Sequence, residues 1–349
     1  MGLMLQFGGK ITKALKDCYI QSPNWKGKVF HNLVETSLFI PITSIPKLVY
    51  NQFFKKKGRL PEVSLPIKAF DKAAFLAPSN STKFVWFGHS VVLLQMNGKT
   101  ILIDPMLGLD ASPIAPFKTK RFSDGTLDLI DELPEIDLVL LTHDHYDHLD
   151  LESILKLKGK VKQYWVALGC ARHLKAWGVN CAIKEFDWWS SFKFDDIEIT
   201  FTPTRHFAGR GVADRNKSLW GGWVLKTSNE NIYFSGDSGY GDHFKVVGEK
   251  LGPFDFGFME CGQYNKLWHS IHMFPSESVQ AGIDAGVNKM MPVHWGGFAF
   301  ALALHHWKTP VDEFVKAAIT KDVRYLTPEL GELVNVNENN SSDWWSRYN

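Results

Sequence analysis

Cysteine is scarce in this chain and nowhere closely paired. Cys18, Cys170, Cys181 and Cys261 form no Cys-x-x-Cys pair, which excludes a zinc knuckle, gives no disulfide framework and suits a reduced, cytoplasmic setting. A bias of charge is lacking as well: the formal net charge of +2 makes no electrostatic case for nucleic acid as a partner. Long apolar runs are missing. Met1 to Ile20 is interrupted by Lys10, Lys13 and Lys16 and makes a poor secretory signal; Thr36 to Phe54 is broken by Pro41, Pro46 and Lys47, which argues against a spanning helix. There is no internal repeat, and low complexity is confined to the polar stretch Asn335 to Asp343. The hydrophobic fraction of 45% is enough for a substantial core.

What the chain does have is the run Leu-Leu-Thr-His-Asp-His-Tyr-Asp-His, ending at His148. It sets His143, His145, Asp147 and His148 side by side, a crowding that costs energy unless a cation joins them, and nitrogen and oxygen donors suit zinc. The spacing is not the helical one that places two imidazoles on one face. Ile136 to Thr142 reads instead as a short buried strand, so the donors lie on the loop at its carboxyl end. The pattern recurs. Ile197 to Thr204 delivers Arg205 and His206, Asn231 to Ser235 delivers Asp237 within Gly236-Asp237-Ser238-Gly239, and Lys289 to Val293 delivers His294. Four strand ends thus carry metal-competent side chains, with glycines where backbone must approach closely.

With those residues in view, the chain resembles the metallo-β-lactamase superfamily, and within it the branch of N-acylphosphatidylethanolamine-hydrolysing phospholipase D. The likeness extends from about residue 80 to 330 and includes Trp86-Phe87-Gly88-His89-Ser90, Ile103-Asp104-Pro105, Lys120-Arg121-Phe122, Asp187-Trp188-Trp189 and His294-Trp295-Gly296. The resemblance implies an α/β fold, the αββα four-layer sandwich of two mixed sheets flanked by helices. It also implies two Zn2+ ions, one on His143, His145 and His206 and the other on Asp147, His148 and His294, with Asp237 on both. A hydroxide between the ions would be the nucleophile. The implied activity is phospholipase D-like cleavage of an N-acylated phospholipid. A lactonase or ester hydrolase on the same site is the alternative, as is a non-catalytic metal-binding scaffold at a membrane.

Around these ligands, Asp104 at the end of Thr100 to Ile103 is expected to orient a ligand histidine. His272 is expected to serve the departing oxygen as an acid, with Asp147 the other catalytic residue. His89, Tyr240, Gln263, Tyr264, Trp268 and Trp295 are expected to line the substrate site, and Trp188, Trp189 and Phe207 to add an apolar wall. Ala115-Pro116 and Glu260-Cys261-Gly262-Gln263-Tyr264 depart from the animal enzymes and are expected at the entrance.

Strands are expected at Phe84 to Trp86, Val91 to Met96, Thr100 to Ile103 and Gln163 to Ala167, with a tight turn at Asn97-Gly98. Helices are expected at Lys10 to Tyr19, Leu151 to Leu157, Cys170 to Trp177, Phe244 to Lys250, Ser276 to Ala285 and Val311 to Ile319. Residues 1–80 read as an extension packed on the core or a membrane surface, 81–335 as the catalytic domain and 336–349 as a tail. Within the extension, residues 36–59 join apolar side chains to the basic cluster Lys55-Lys56-Lys57-Gly58-Arg59, which would suit peripheral contact with an anionic bilayer.

Overall fold

Apolar runs of four to six residues become strands buried on both faces in the computed structural model. It describes residues 3–36, 43, 46, 50, 58–114, 118–211, 213–300, 303–339 and 341–349. After a small hairpin of β1 (Trp25–Lys26) and β2 (Val29–Phe30), the first large sheet is built from β3 (Lys83–Trp86), β4 (Val92–Met96), β5 (Lys99–Ile103), β6 (Leu138–Leu141), β7 (Gln163–Ala167) and β8 (Ala182–Phe186). The second contains β9 (Ser191–Phe194), β10 (Ile197–Thr202), β11 (Gly222–Lys226), β12 (Asn231–Phe234), β13 (Phe256–Glu260), β14 (Lys289–Val293) and β15 (Arg324–Tyr325). Finally β16 (Leu333–Asn335) returns to the first sheet, antiparallel to β3.

The two sheets repeat one plan. In the first, β3, β4 and β5 pair antiparallel, whereas β5 through β8 run parallel. In the second, β9 through β12 are antiparallel and β12 through β15 parallel. Parallel neighbours need crossovers, and helices supply them: Leu151–Leu157 and Ala171–Ala176 in the first sheet, His243–Leu251, Pro275–Asp284 and Thr309–Thr320 in the second. With helices outside and the partner sheet inside, β4, β6, β12, β13 and β14 are wholly buried, which is why they read as continuous apolar runs and not as alternation. Between the sheets Phe84 of β3 meets Phe258 of β13 edge-on at 5.1 Å and Phe256 at 5.6 Å. This is the αββα sandwich expected, and its parallel strands end at one edge.

Local chemistry trims the expected boundaries. The first expected helix starts at Lys13 because Thr12 caps it, its hydroxyl accepting from Leu15 N–H. β10 stops at Thr202, before Pro203. β6 stops at Leu141 because the next amide, Thr142 N–H, donates to the Asp104 carboxylate. Asn97 and Gly98 have φ of 47° and 73°, the two positive values of a tight hairpin turn.

The N-terminal arm lies on the core: Leu5 O accepts from the Trp177 indole and Gln6 O from Arg210. The C-terminal segment also packs, with Trp344 and Trp345 both 5.6 Å from Trp295. The expected membrane-contact stretch, residues 36–59, lies almost wholly outside the described residues, as do Ala115 and Pro116. Among the described residues no helix is long and apolar enough to cross a membrane. Truncating Phe258 to Ala is expected to destabilise the fold by about 3–5 kcal/mol, since the cavity would open between two sheets that cannot close over it; urea unfolding would measure it.

Candidate metal centre

Strand polarity assembles the site. The carboxyl ends of β5, β6, β12, β13 and β14 point to the same edge, where α/β sheets place ligands, and they carry Asp104, the His143–His148 loop, Asp237, Glu260 and His294. The loop after β10 adds His206. Asp104 fastens both ends of the His143–His148 loop. One oxygen accepts from Thr142 N–H at 2.8 Å, and the other from the Thr142 hydroxyl at 2.6 Å and His148 Nδ1 at 2.7 Å. Within the loop Asp144 turns the other way, accepting from Gly209 N–H at 2.7 Å, from Ser218 and from His173. Tyr146 likewise donates to Arg210 O at 2.6 Å. Gly236, at φ 63°, lets the chain reach Asp237; a Cβ there would sit 2.3 Å from Gly221 O.

The inward side chains meet in two groups. His145 Nδ1 lies 2.9 Å from His143 Nε2 and 3.2 Å from His206 Nε2. Asp147 Oδ2 lies 3.5 Å from His148 Nε2 and 3.4 Å from His294 Nε2. Asp237 Oδ2 belongs to both: it is 3.9 and 3.8 Å from His143 and His206, and 3.1 Å from both His148 and His294. Four donors around a tetrahedral ion with bonds of about 2.0–2.2 Å stand about 3.4 Å apart, so these separations fit.

Electrostatics points the same way. Burial, with neighbouring imidazoles, presses His143 and His206 well below the usual range and His145 to about 4, which keeps their lone pairs free. Burial opposes ionisation of Asp147 and Asp237, but the imidazoles around them, His148, His294 and His89 at Asp147 and His148 and His294 at Asp237, together outweigh it and hold the carboxyls well below the usual range. Burial opposes charge on His148 too, yet Asp237, Asp147 and Asp104 drive it well upward; Asp237 and Asp147 likewise raise His294 to about 10. The carboxylates therefore demand positive charge at the place where donors converge. His294 Nε2 is buried and out of line for a hydrogen bond. The far nitrogens are occupied: Nδ1 of His206 by Ile271 O at 3.0 Å, of His143 by the Thr142 hydroxyl at 2.9 Å, and of His294 by Gly262 O at 3.3 Å. That fixes the tautomer that turns Nε2 inward. His89, Asp104, Gln263 and His294 all have positive φ, the kind of local strain that gathers where surrounding structure dictates geometry.

The residues expected to line the substrate site are placed as follows. His89 is fully buried and its Nε2 meets Asp147 Oδ2 at 3.1 Å, inside the cluster. The Trp295 ring packs in the core against Trp86, Trp344 and Trp345. Gln263 holds the backbone at Phe298 and Phe300, and the buried Trp268 donates to Gln263 O. Tyr240 is tied to Asp284, and Trp188 to Trp220 O; Trp189 sits under Lys250. Tyr264 stacks on His305 and lines a cavity of about 300 Å³ with Phe274 and Leu304. Phe207 does border the cluster, 4.4 Å from the His145 ring. His145, Asp147 and His272 remain partly exposed and mark the open side.

One residue is placed differently from the sequence reading and another is absent from it. Glu260, expected at the substrate entrance, is a further strand-end acid at the close of the run Phe-Gly-Phe-Met-Glu, and it is buried beside His272. Asn32, in the N-terminal arm, grips the main chain of His206 from both sides, donating to His206 O at 2.8 Å and accepting from its N–H at 3.1 Å. No local signal in the sequence announces that contact.

A two-sheet sandwich with a histidine–aspartate cluster at one edge is the architecture of metal-dependent hydrolases, and comparison with known proteins agrees. The family described as "Beta-lactamase superfamily domain" matches residues 99–295. The chain is 34% identical over 332 residues to an uncharacterized protein of Mycobacterium tuberculosis, covering 93% of this chain and 88% of that one. It is 31% identical over 265 residues to N-acyl-phosphatidylethanolamine-hydrolyzing phospholipase D 1 of Caenorhabditis elegans, covering 71% and 74%. Among solved structures, Igni18, a metallo hydrolase of Ignicoccus hospitalis, superposes with a TM-score of 0.57 at 21% identity over 73% of this chain and 98% of that one. This chain belongs to the metallo-β-lactamase superfamily. Replacing Asp104 with Ala is expected to weaken metal retention about 10–100-fold, as loss of a ligand's supporting carboxylate does; competition against a chromogenic chelator would measure it.

Proposed function

We propose that this chain is a phosphodiesterase of phospholipase D type that acts with two zinc ions on an N-acylated phospholipid. The observation that carries this is the single oxygen, Asp237 Oδ2, standing within 3.9 Å of donor atoms in both groups. His143, His145 and His206 would hold one ion and Asp147, His148 and His294 the other, with Asp237 between them. Bound dications supply Lewis acidity toward phosphoryl oxygens and ease the ionisation of water.

The chain's own groups do the rest. Asp147 and Asp237 are held ionised by their imidazole neighbours, and the fixed tautomers keep the donors turned to one centre. His272, beside His206 and His294 on the open side, is the proposed acid for the departing oxygen. Phe207 lends an apolar border suited to a lipid. The choice of an N-acylated phospholipid rests on similarity to the Caenorhabditis elegans enzyme across 71% of the chain.

The deciding experiment incubates metal-analysed protein with a total membrane extract and follows every lipid by mass spectrometry, alongside a bis-nitrophenyl phosphodiester and a panel of lactones. About two metal equivalents per chain, consumption of an N-acylated phospholipid and release of its head-group alcohol are expected. Lactone opening without phosphodiester cleavage would overturn the reading in favour of a lactonase. Asp237→Ala is expected to lower turnover about 10³-fold or more, since it removes several kcal/mol of transition-state stabilisation.

A further inference from the structure

We infer that Glu260 is a positioning residue for His272, aiming its free nitrogen at the departing oxygen; this rests on the hydrolase reading above. Glu260 ends β13, between β12 and β14, so it emerges between Asp237 and His294. It is 1% exposed. One oxygen accepts from Ser238 N–H at 2.9 Å, and the other from His272 Nδ1 at 2.5 Å. A buried carboxylate is costly unless its partners are fixed, and here both are. The acid is therefore a rigid acceptor.

The imidazole is boxed in on its other sides. Its ring lies nearly parallel to His294, at 18° and 5.3 Å, and edge-on to His206 at 4.9 Å. His206 also donates to Ile271 O, which pins the preceding peptide. A ring nitrogen of His272 comes within 4.8 Å of the donor atoms of His206 and Asp237. With Nδ1 held by Glu260, Nε2 is the nitrogen left to face the reacting group.

A competing role for Glu260 would be to support His294. Its Oε1 is 3.7 Å from His294 Nδ1, beyond hydrogen-bond reach, and that nitrogen meets Gly262 O instead. Geometry assigns the acid to His272.

In the step proposed, a water oxygen bonds to phosphorus while the phosphorus–oxygen bond to the head-group alcohol breaks, its electron pair staying on the alcohol oxygen. The Nε2 proton of the His272 imidazolium moves to that oxygen, leaving neutral imidazole, and the proton shed by the water restores the imidazolium. Such help matters most for a poor leaving group and least for a stable phenolate.

The test measures kcat, KM and metal content of the zinc-loaded full chain on a series of phosphodiesters whose leaving groups run from nitrophenol through phenol to an alkyl alcohol. Glu260→Gln is expected to lose about 10–100-fold more kcat on the alkyl ester than on the nitrophenyl ester, with metal content and KM held. His272→Gln should show the same steepened dependence, and the double variant should be no worse than His272→Gln. Glu260→Asp, which keeps the charge but shortens the reach, gives an independent comparison if the glutamine variant folds poorly. Equal losses across the series, or loss of metal, would overturn the proposal and hand Glu260 to His294. A wild-type chain that cleaves esters but no phosphodiester sinks the phosphodiesterase reading alone, and the same series on carboxylic esters then decides the role of Glu260.

Discussion

The structure turns on the crowding of like groups at one edge of a sandwich. Imidazole nitrogens from β6, β10 and β14 loops face each other and two carboxylates at about hydrogen-bond range, with their outer nitrogens already engaged. Neutral imidazoles so arranged repel through their lone pairs, and ionised aspartates under burial repel more strongly. Only positive charge in their midst relieves both. The rest of the edge is built to hold that arrangement open: Asp104 ties the two ends of the histidine loop, Asp144 anchors its outward side, and strained φ values at His89 and His294 aim side chains that relaxed backbone would turn away.

The repeated plan of the sheets explains why distant residues can be partners. Each sheet is antiparallel on one side and parallel on the other; the parallel halves end at the working edge, and loops after β3 and β10 of the antiparallel halves reach it with His89 and His206. The first sheet sends one continuous loop with four donors. The second sends its ligands from separate strand ends, His206 after β10, Asp237 after β12 and His294 after β14, while Glu260 and His272 come from the end of β13 and the segment beyond it. Four of the seven ligands are thus local and three assembled.

That division decided what could be read beforehand. The His143–His148 loop, and the strands preceding Asp237 and His294, were legible because fully buried strands are apolar runs and the donors follow them at once. Asp104 was legible from the same rule, and the sandwich followed from the family likeness. Side-chain direction was not. Trp295 follows a ligand in sequence yet faces the opposite way, as adjacent residues at a strand end do, Gln263 spends its amide on the backbone of Phe298 and Phe300, and Trp268 spends its indole N–H on Gln263 O. Glu260 reads in sequence only as part of the substrate entrance, because a carboxylate after an aromatic strand looks like an ordinary exit to solvent. Its burial depends on neighbours far along the chain.

Asn32 carries a wider implication. It sits more than a hundred and seventy positions before the main chain it grips at His206 and makes no approach to a reacting atom of its own. The arm is therefore part of the centre's scaffolding, not a wrapper around a finished enzyme. Comparative annotation that crops such chains to the matched region, residues 99–295 here, discards a piece of the machinery. Any cropped version would enter a screen already wounded, and its silence would say nothing about the parent.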